Sequence, residues 1–568
     1  MATDITVKIG GAAGQGIQTV GAILAQACRL GGLQVLAVND FESRIRGGHS
    51  FVQLRISDRP VAAPSRETHL LVAMDDNSVA RHGDTLDPRG RILCEASNRE
   101  TEGRTVFLPF TEMAKGVGGR ILANTVAAGA ALSLLDAPLD LCRKAVAEHF
   151  GKTETGRLEK NLAAVEAGHS AMAAAHAAAW PVPWQSTAPA TILMDGARAL
   201  ALGALAGDCR LAAFYPMSPA TGIMAHLASL ADRFPLAVEQ AEDELAAANM
   251  MVGAAFAGVR AMTATSGGGF CLMTEALGLA AMTETPVVIV NAQRPGPATG
   301  LPTRTGQGDL LFAIHASQDE FPRFVFAPGS PDQAFAVMQR AFELSDKYQV
   351  PAIVLVDQYF NDSLFTIGKW KSPESVRHYV VADGDMADPA AYRRFEAVPD
   401  GVSPRALPCR GQALVVACSD EHREDGHISE TIADRNRMVE KRNAKGPAMM
   451  GEMTPPERYG DPDGLMLIGW GSTLGALRES VDLLRADGLT ASALHFTDLW
   501  PFPADAVKAA LEGARIRVMV EQNGSAQLGR LIREQTGIDH HGAVLKTDGR
   551  PFYPADIARQ AAAMAKSA

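Results

Sequence analysis

Four short polar stretches between Leu211 and Leu310 have residue types that could do chemistry together. The first is Tyr215-Pro216-Met217-Ser218-Pro219, which follows the apolar run Leu211 to Phe214. Its two prolines fix the backbone, remove two N–H donors and leave Ser218 as the aliphatic hydroxyl of a tight loop. The second is Glu244, followed at once by Leu245, Ala246, Ala247 and Ala248, with Gly253 nine residues on. A carboxylate entering an apolar helix in this way is expected to be partly desolvated, which raises its pKa as a proton-sharing carboxylate requires. Glu239, Glu242 and Asp243 precede it and suit the positive end of the helix dipole. Glu239 and Glu242 remain rivals for the same role, separated from Glu244 by the spacing to Gly253 alone. The third stretch is the turn Ser266 to Gly269. The fourth is Arg294-Pro295-Gly296-Pro297, after a strand predicted over Pro286 to Asn291. An arginine at the carboxyl end of a buried strand stands where open α/β sheets place ligand contacts. Its planar fork matches a carboxylate. Each stretch also has a plainer reading: a strand-end turn, a charged first turn, a surface arginine in a Pro/Gly loop.

A further candidate lies at the N-terminus. Asp4 to Ile9 reads as a strand and runs into Gly10-Gly11-Ala12-Ala13-Gly14-Gln15-Gly16. A helix over Ile17 to Leu30 and a strand over Gln34 to Val38 complete a βαβ unit, with glycines at a helix N-terminus. The spacing GGxxGxG departs from the dinucleotide fingerprint GxGxxG, although Asp40 follows the second strand where a ribose-binding acid would sit. A nucleotide and a bare tight turn are both open readings. Ser43-Arg44-Ile45-Arg46-Gly47-Gly48-His49-Ser50 could hold phosphates or form a domain-interface loop.

The elements that must position these residues need more than one core. A chain of 568 residues predicts three to four domains. Strand-like and helix-like runs alternate over 1–185, and Trp180-Pro181-Val182-Pro183-Trp184 opens a linker. Over 190–367, strands at Pro286 to Val290 and Ala352 to Val356 alternate with helices at Asp195 to Leu205 and Pro331 to Tyr348, predicting a doubly wound parallel sheet. Charges and prolines dominate 368–460. Glu421 to His427 puts two histidines among acids, but the spacing suits a charged loop better than a metal site. A third α/β segment, 461–568, starts with a strand at Leu465 to Ile468 and a helix over Leu474 to Asp487. Gly471, Ser472 and Thr473 between them fit an anion-binding turn and an ordinary βα turn equally well.

A net charge of −11 argues against a nucleic-acid-binding surface. The seven cysteines are scattered without a CxxC pair, so a cysteine-ligated cluster within this chain is not expected. No run approaches the ~18–20 apolar residues of a membrane helix, and the start of the chain does not read as a signal peptide. These features predict a soluble, cytoplasmic protein with no membrane partner.

In order and spacing, YPMSP, the glutamate with glycine nine residues later, SGGG, and RPGPATGLPT at Arg294 to Thr303 resemble the pyrimidine-binding domain of the 2-oxoacid:ferredoxin oxidoreductases. More narrowly, and especially through RPGPATGLPT followed by TGQGDL at Thr305 to Leu310, the chain is similar to the alpha subunit of the 2-oxoglutarate type, in the form with the gamma domain fused to its N-terminus. The resemblance implies three α/β domains: the gamma domain, a thiamine diphosphate pyrimidine-binding doubly wound sheet, and a transketolase C-terminal-like domain. It implies that Glu244 is the catalytic carboxylate, promoting loss of the thiazolium proton through the pyrimidine ring. Tyr215, Pro216 and Met217 would join Glu244 around the cofactor. Arg294, Thr303 and Ser218 would bind the oxoacid. Gly14, Gln15, Gly16, Arg44 and Arg46 would belong to a coenzyme A region, without individual contacts assigned.

No GDG signature for diphosphate and Mg2+ occurs in the sequence. The resemblance therefore implies a beta subunit carrying diphosphate, Mg2+ and a [4Fe-4S] cluster, and an assembly with two copies of each chain. The implied reaction is decarboxylation of 2-oxoglutarate with transfer to coenzyme A, giving succinyl-CoA, with ferredoxin as electron acceptor; reversal would fix CO2. The same chemistry on pyruvate or an aryl oxoacid is an alternative. A non-catalytic nucleotide-binding scaffold, indifferent to Glu244, is another.

Overall fold

The computed structural model describes residues 3–12, 14–42, 48–95, 104–151, 155–174, 180, 182–185, 191–370 and 375–567. Arg44 and Arg46 lie outside the described residues. The chain forms two compact units.

The first unit comprises 1–195, 362–370 and 552–554. Its eight-stranded sheet is centred on Asp4–Ala12, which is buried along nearly its whole length. Asp4 to Ile9 alternates polar and apolar residues as a half-buried strand would, yet Thr6 and Lys8 are buried along with Ile5, Val7 and Ile9, so both faces of the strand are covered. The helix Ile17–Leu30 follows and buries Val20, Ile23, Leu24 and Ala27, one stripe at helical spacing. Each fully buried Ile or Leu contributes about 1.5–3 kcal/mol.

The expected βαβ unit has an intruder. Strand His49–Ser57 lies antiparallel between Asp4–Ala12 and Gln34–Phe41, separating the two strands that the sequence pattern pairs. The second strand also runs on to Phe41, so Asp40 sits within it opposite Phe51 rather than in a ribose-binding loop. Two helices of this unit, Ala123–Leu134 and Thr155–Ala174, approach so closely that a Cβ on Gly129 would strike the Val165 carbonyl, and one on Gly168 the Val126 carbonyl. In the stretch expected to be a linker, Trp184 donates its indole N–H to the Leu135 carbonyl at 2.9 Å. Strands Thr191–Asp195 and Leu364–Gly368, at the two ends of the segment 190–367, pair with each other in this sheet.

The second unit comprises 196–361, 371–551 and 555–568. Six parallel strands are ordered Phe324–Phe326, Pro351–Asp357, Val287–Gln293, Ala261–Thr265, Leu211–Phe214, Ala237–Gln240. Asp498–Trp500 adds an antiparallel edge. Three adjacent strands, Pro351–Asp357, Val287–Gln293 and Ala261–Thr265, are buried at every residue, as a doubly wound sheet requires. A second sheet of five strands, Glu457–Gly460, Ala491–Phe496, Gly464–Trp470, Ala514–Glu521 and Gly542–Leu545, follows in the same unit.

The charged segment between these sheets is packed rather than loose. Glu284 is buried and receives Lys441 and Lys445, each at 2.6 Å. Asp346 is buried between Arg260 at 3.1 Å and Arg405 at 2.9 Å. Burial alone would raise the Glu284 carboxyl, but the two ammonium groups and Arg394 outweigh it and hold it below the usual range. Within Glu421 to His427, Glu421 binds Arg435 and Arg442, while His422 is buried, its ring 4.0 Å from that of Phe395 and its Nδ1 3.1 Å from the Asp420 carbonyl. These side chains serve packing.

Candidate active site

Parallel strands deliver their carboxyl ends to one edge, and the four polar stretches stand there. The YPMSP loop leaves Leu211–Phe214, Glu244 follows Ala237–Gln240, Ser266 follows Ala261–Thr265, and Arg294 follows Val287–Gln293. Those four strands are neighbours in the sheet.

Asp243 sets the position of Glu244. Its backbone is extended, and its carboxylate accepts the Ala246 N–H at 2.7 Å, so the helix Glu244–Phe256 begins there. Such a cap contributes about 1 kcal/mol. Glu244 itself is only 3% exposed, and its Oε1 has no hydrogen-bond partner among the described residues. Glu239 and Glu242 are exposed. Burial therefore separates the three rivals, which spacing alone could not do. Gly253 faces open space, so nothing here explains why that position is glycine.

Glycine at 269 is needed for a different reason. A Cβ there would lie 2.7 Å from Glu244 Oε1 and would overlap Thr265 Oγ1. Gly267 has the same relation to a second acid: a Cβ would lie 2.5 Å from Asp309 Oδ2. The SGGG turn is thus a short helical turn wedged between two carboxylates. Asp309 accepts the Asn291 side-chain amide at 3.1 Å, and its own N–H donates to Gln293 Oε1 at 3.0 Å. Burial pushes the Asp309 carboxyl up, against that amide bond. Asp309 and Asn291 are absent from the residues that sequence reasoning selects. The available signal was a polar Asn and Gln closing the apolar strand Val287–Gln293.

Arg294 is half-buried and donates from Nη1 to the Ser218 carbonyl at 2.8 Å, which ties it to the YPMSP loop. Its Nε is buried without a partner among the described residues. Burial lowers its pKa, and the Glu244 carboxylate acts in the opposite direction, so the two charges share one field. Met217 lies 3.8 Å from Thr265 Oγ1 through its sulfur, and the Pro219 carbonyl accepts from Asn361 at 3.3 Å. Tyr215 and Ser218 are exposed beside these contacts, and Pro216 is half-buried. Thr303 is buried in the loop that continues from Arg294; among the described residues it makes no hydrogen bond with Arg294, Ser218 or Glu244.

The far end of that loop is clamped. The Gln307 side chain donates to the Trp470 carbonyl at 2.9 Å and accepts the Gln522 N–H at 3.1 Å. Asn523 and Gln527 donate to the Gln307 and Gly308 carbonyls at 3.1 and 2.7 Å. Ser472 in the GST turn bonds Asp357 at the end of strand Pro351–Asp357. That turn therefore joins the two sheets rather than holding an anion.

An orphaned buried carboxylate oxygen over a glycine cradle, with a guanidinium in its field, suits a neutral nitrogen heterocycle beside an anionic substrate. Residues 202–441 match the family described as pyruvate flavodoxin/ferredoxin oxidoreductase, thiamine diphosphate-binding, and 6–171 and 464–557 match two further families of the same enzymes. A 2-oxoacid:ferredoxin oxidoreductase subunit alpha from Sulfolobus sp. is 33% identical, with 96% of this chain and 94% of the relative covered. The chain belongs to the 2-oxoacid:ferredoxin oxidoreductase family. A 2-oxoglutarate oxidoreductase subunit KorA from Mycobacterium tuberculosis is 27% identical over 98% of this chain and 91% of its own. A solved 2-oxoglutarate:ferredoxin oxidoreductase from Magnetococcus marinus, with 2-oxoglutarate, coenzyme A and succinyl-CoA bound, superposes with a TM-score of 0.91 at 30% identity, covering 99% of each chain.

The chain is therefore part of an oxidoreductase whose 202–441 region is of a thiamine diphosphate-binding kind. The orphaned Glu244 oxygen and the Gly269 cradle fit an aminopyrimidine ring. No described helix is long and apolar enough to cross a membrane.

In the first unit, Gly14, Gln15 and Gly16 line a cavity of about 1010 Å³. Gln15 closes the turn, its N–H donating to the Ala12 carbonyl at 3.1 Å and its Oε1 accepting the Ala12 N–H at 2.7 Å. Asp40 does not line this cavity; it lies close enough to buried Lys8 to hold that ammonium's pKa up against desolvation, which brings it down to about 8.

Proposed function

We propose that this chain is the pyrimidine-side subunit of a thiamine diphosphate-dependent 2-oxoglutarate:ferredoxin oxidoreductase, with residues 1–185 acting as its fused gamma domain. The complex converts 2-oxoglutarate and coenzyme A to succinyl-CoA, CO2 and a proton, with electrons leaving singly to ferredoxin. The reverse reaction runs when the ferredoxin is reducing enough. Segments 190–367, 368–460 and 461–568 are the pyrimidine-binding domain, its strap and the C-terminal domain. Glu244 carries this reading: it is a buried acid whose Oε1 lacks a partner beside Gly269.

Bound thiamine diphosphate supplies an acidic ring carbon and an electron sink. Glu244 would hold the pyrimidine ring and keep a proton shared with it. Tyr215, Pro216 and Met217 would wall the ring. Arg294, held by the Ser218 carbonyl, would fix the substrate carboxylate in a bidentate fork. Ser218 and Thr303 would add hydroxyl contacts. Gly14, Gln15, Gly16, Arg44 and Arg46 remain the coenzyme A region of this reading.

A beta subunit would bring the diphosphate and Mg2+ site and the [4Fe-4S] cluster, in an α2β2 assembly. The substrate preference is supported by the compounds bound in the Magnetococcus protein. Pyruvate is the second reading, because the matched family's description names it.

The test uses the chain co-purified with its partner. Coenzyme A-dependent reduction of a one-electron dye is measured with 2-oxoglutarate and with pyruvate. Preference for 2-oxoglutarate supports the proposal, and preference for pyruvate selects the second reading. No turnover with either, despite added thiamine diphosphate and an intact cluster in the partner, overturns both.

A further inference from the structure

Thr265 ends the buried strand Ala261–Thr265 and is itself fully buried. Threonine is β-branched, so its χ1 is stiff and the strand backbone sets where the hydroxyl points. That hydroxyl ends over Gly269. Glu244 Oε1 ends there too, since a Cβ built on Gly269 would meet both oxygens. One small space thus holds a hydroxyl from the end of a strand and a carboxylate from the start of the helix Glu244–Phe256.

A buried hydroxyl needs an acceptor. The acceptor that Thr265 reaches among the described residues is the thioether sulfur of Met217, at 3.8 Å. Such a sulfur is a weak acceptor. Glu244 Oε1, in the same space, has no partner among the described residues. A good donor on a poor acceptor therefore sits beside a strong acceptor with no donor. The hydroxyl proton turns freely about its bond, and the last torsion of a glutamate is broad, so the two can join without any change of backbone. Orientation is also what the carboxylate lacks. Asp243 caps the helix and places the Glu244 backbone, but no bond to Oε1 fixes the plane of the carboxylate. An acid–base group works only while its oxygen stays within hydrogen-bond reach of the atom with which it shares the proton.

We propose that Thr265 is a positioning residue for Glu244: with the cofactor ring in place, its hydroxyl leaves the Met217 sulfur and donates to the Glu244 carboxylate, holding the oxygen that shares a proton with the ring. The bond is charge-assisted, and so stronger than the one it replaces. The released sulfur is then available for contact with the edge of the ring. The inference rests on the role given to Glu244 above and adds what orients it.

The test compares Thr265→Val with Thr265→Ser in the complex with the partner subunit. Valine keeps the branched shape and removes the donor; serine keeps the donor and removes a methyl. The readouts are the Kd of thiamine diphosphate with Mg2+, the exchange of the bound cofactor's thiazolium C2 proton with D2O in the absence of oxoacid, followed by NMR after acid quenching, and the melting temperature of the cofactor-free complex. Losing a hydrogen bond to a charged group slows C2 exchange in Thr265→Val by about tenfold or more, while its Kd, and the exchange rate of Thr265→Ser, stay within about threefold of the parent. Thr265→Ala, which also lacks the hydroxyl, replaces the valine variant if the melting temperature shows that valine disturbs the fold. Unchanged exchange without the hydroxyl overturns the inference. Equal slowing in the serine variant overturns it as well, because the methyl and not the hydroxyl then matters. A raised Kd with unchanged exchange makes the hydroxyl a direct contact of the ring, and so overturns the positioning role. A parent complex that binds no thiamine diphosphate overturns the proposed function and this inference with it. A parent that binds and exchanges the cofactor but turns over no oxoacid removes the proposed reaction and leaves the comparison decisive for Thr265.

Discussion

Replacing Glu244 with glutamine tests the site and predicts effects of opposite sign on activity and stability. The side chain is 3% exposed and its Oε1 has no partner among the described residues. Glutamine keeps the volume, so the contacts with Gly269 and Thr265 survive and the fold is not disturbed. The lost property is the charge that lets the group share a proton. A positioned acid–base group is worth about 10²- to 10⁴-fold in rate, or roughly 3–5.5 kcal/mol at 1.36 kcal/mol per decade. The expected result is a fall in kcat of that size, with the KM for 2-oxoacid moved far less. Stability should move the other way. A buried side-chain oxygen left without a partner costs about 1–3 kcal/mol, and the cost is smaller for a neutral amide than for a carboxylate. The cofactor-free complex carrying Glu244→Gln should therefore melt at a higher temperature than the parent.

The assay pairs dye reduction under saturating oxoacid, coenzyme A and thiamine diphosphate with thermal denaturation of the cofactor-free complex. Glu239→Gln and Glu242→Gln are the controls, because both side chains are exposed and should leave both readouts nearly unchanged. Retention of activity within about threefold in Glu244→Gln would refute the argument, since that exceeds by far what any acid–base role allows. So would a Glu242→Gln variant that lost activity in its place. A variant less stable than the parent would show that Oε1 has a partner in the protein and is not held in reserve for a ligand.

Other outcomes follow from the same geometry. Gly269→Ala should cost activity on the scale of Glu244→Gln, read in the same dye assay, because the new methyl must displace Glu244 or Thr265. Arg294→Lys should raise the KM for oxoacid about tenfold or more, since a point charge replaces a bidentate fork; an unchanged KM in steady-state kinetics would remove Arg294 from the substrate. Glu284→Gln should destabilise the chain by about 3–5 kcal/mol in denaturant titration, because it leaves Lys441 and Lys445 buried without a counter-charge. The Glu284 carboxyl is depressed on folding, so its stabilisation is complete above the unfolded value near 4.3 and fades as pH falls below it. Asp357 behaves in the opposite sense: burial pushes its carboxyl up to about 6, so stability falls as pH rises from about 4 to 6 and stays low above. Asp357→Asn should then raise the melting temperature at pH 8 and lose that advantage near pH 4.

What was legible in the sequence was the local part of the site. A buried parallel strand reads as an apolar run, and polar residues at its end mark where it leaves the sheet; YPMSP, SGGG and Arg294 could be found that way. The choice among Glu239, Glu242 and Glu244 could not, because all three cluster at the start of one helical pattern and only the packed fold shows which is buried. Strand His49–Ser57 alternates as a strand should, but GGHS at its start draws the eye to the turn. The segment 368–460 misleads for a physical reason. Lysine and arginine read as solvated, whereas Lys441 and Lys445 are buried on Glu284 and Arg405 on Asp346, partners far away in sequence.

The stretch TGQGDL shows the same limit at the site itself. As sequence it supports a substrate class, through resemblance. In the fold, Gln307 bridges Trp470 and Gln522, and Asp309 is held by Asn291 and Gln293, so these residues fix the loop that starts at Arg294 against the second sheet. On the proposed function, the bonds made by Gln307 and Asp309 would set how firmly Arg294 is presented to a substrate carboxylate.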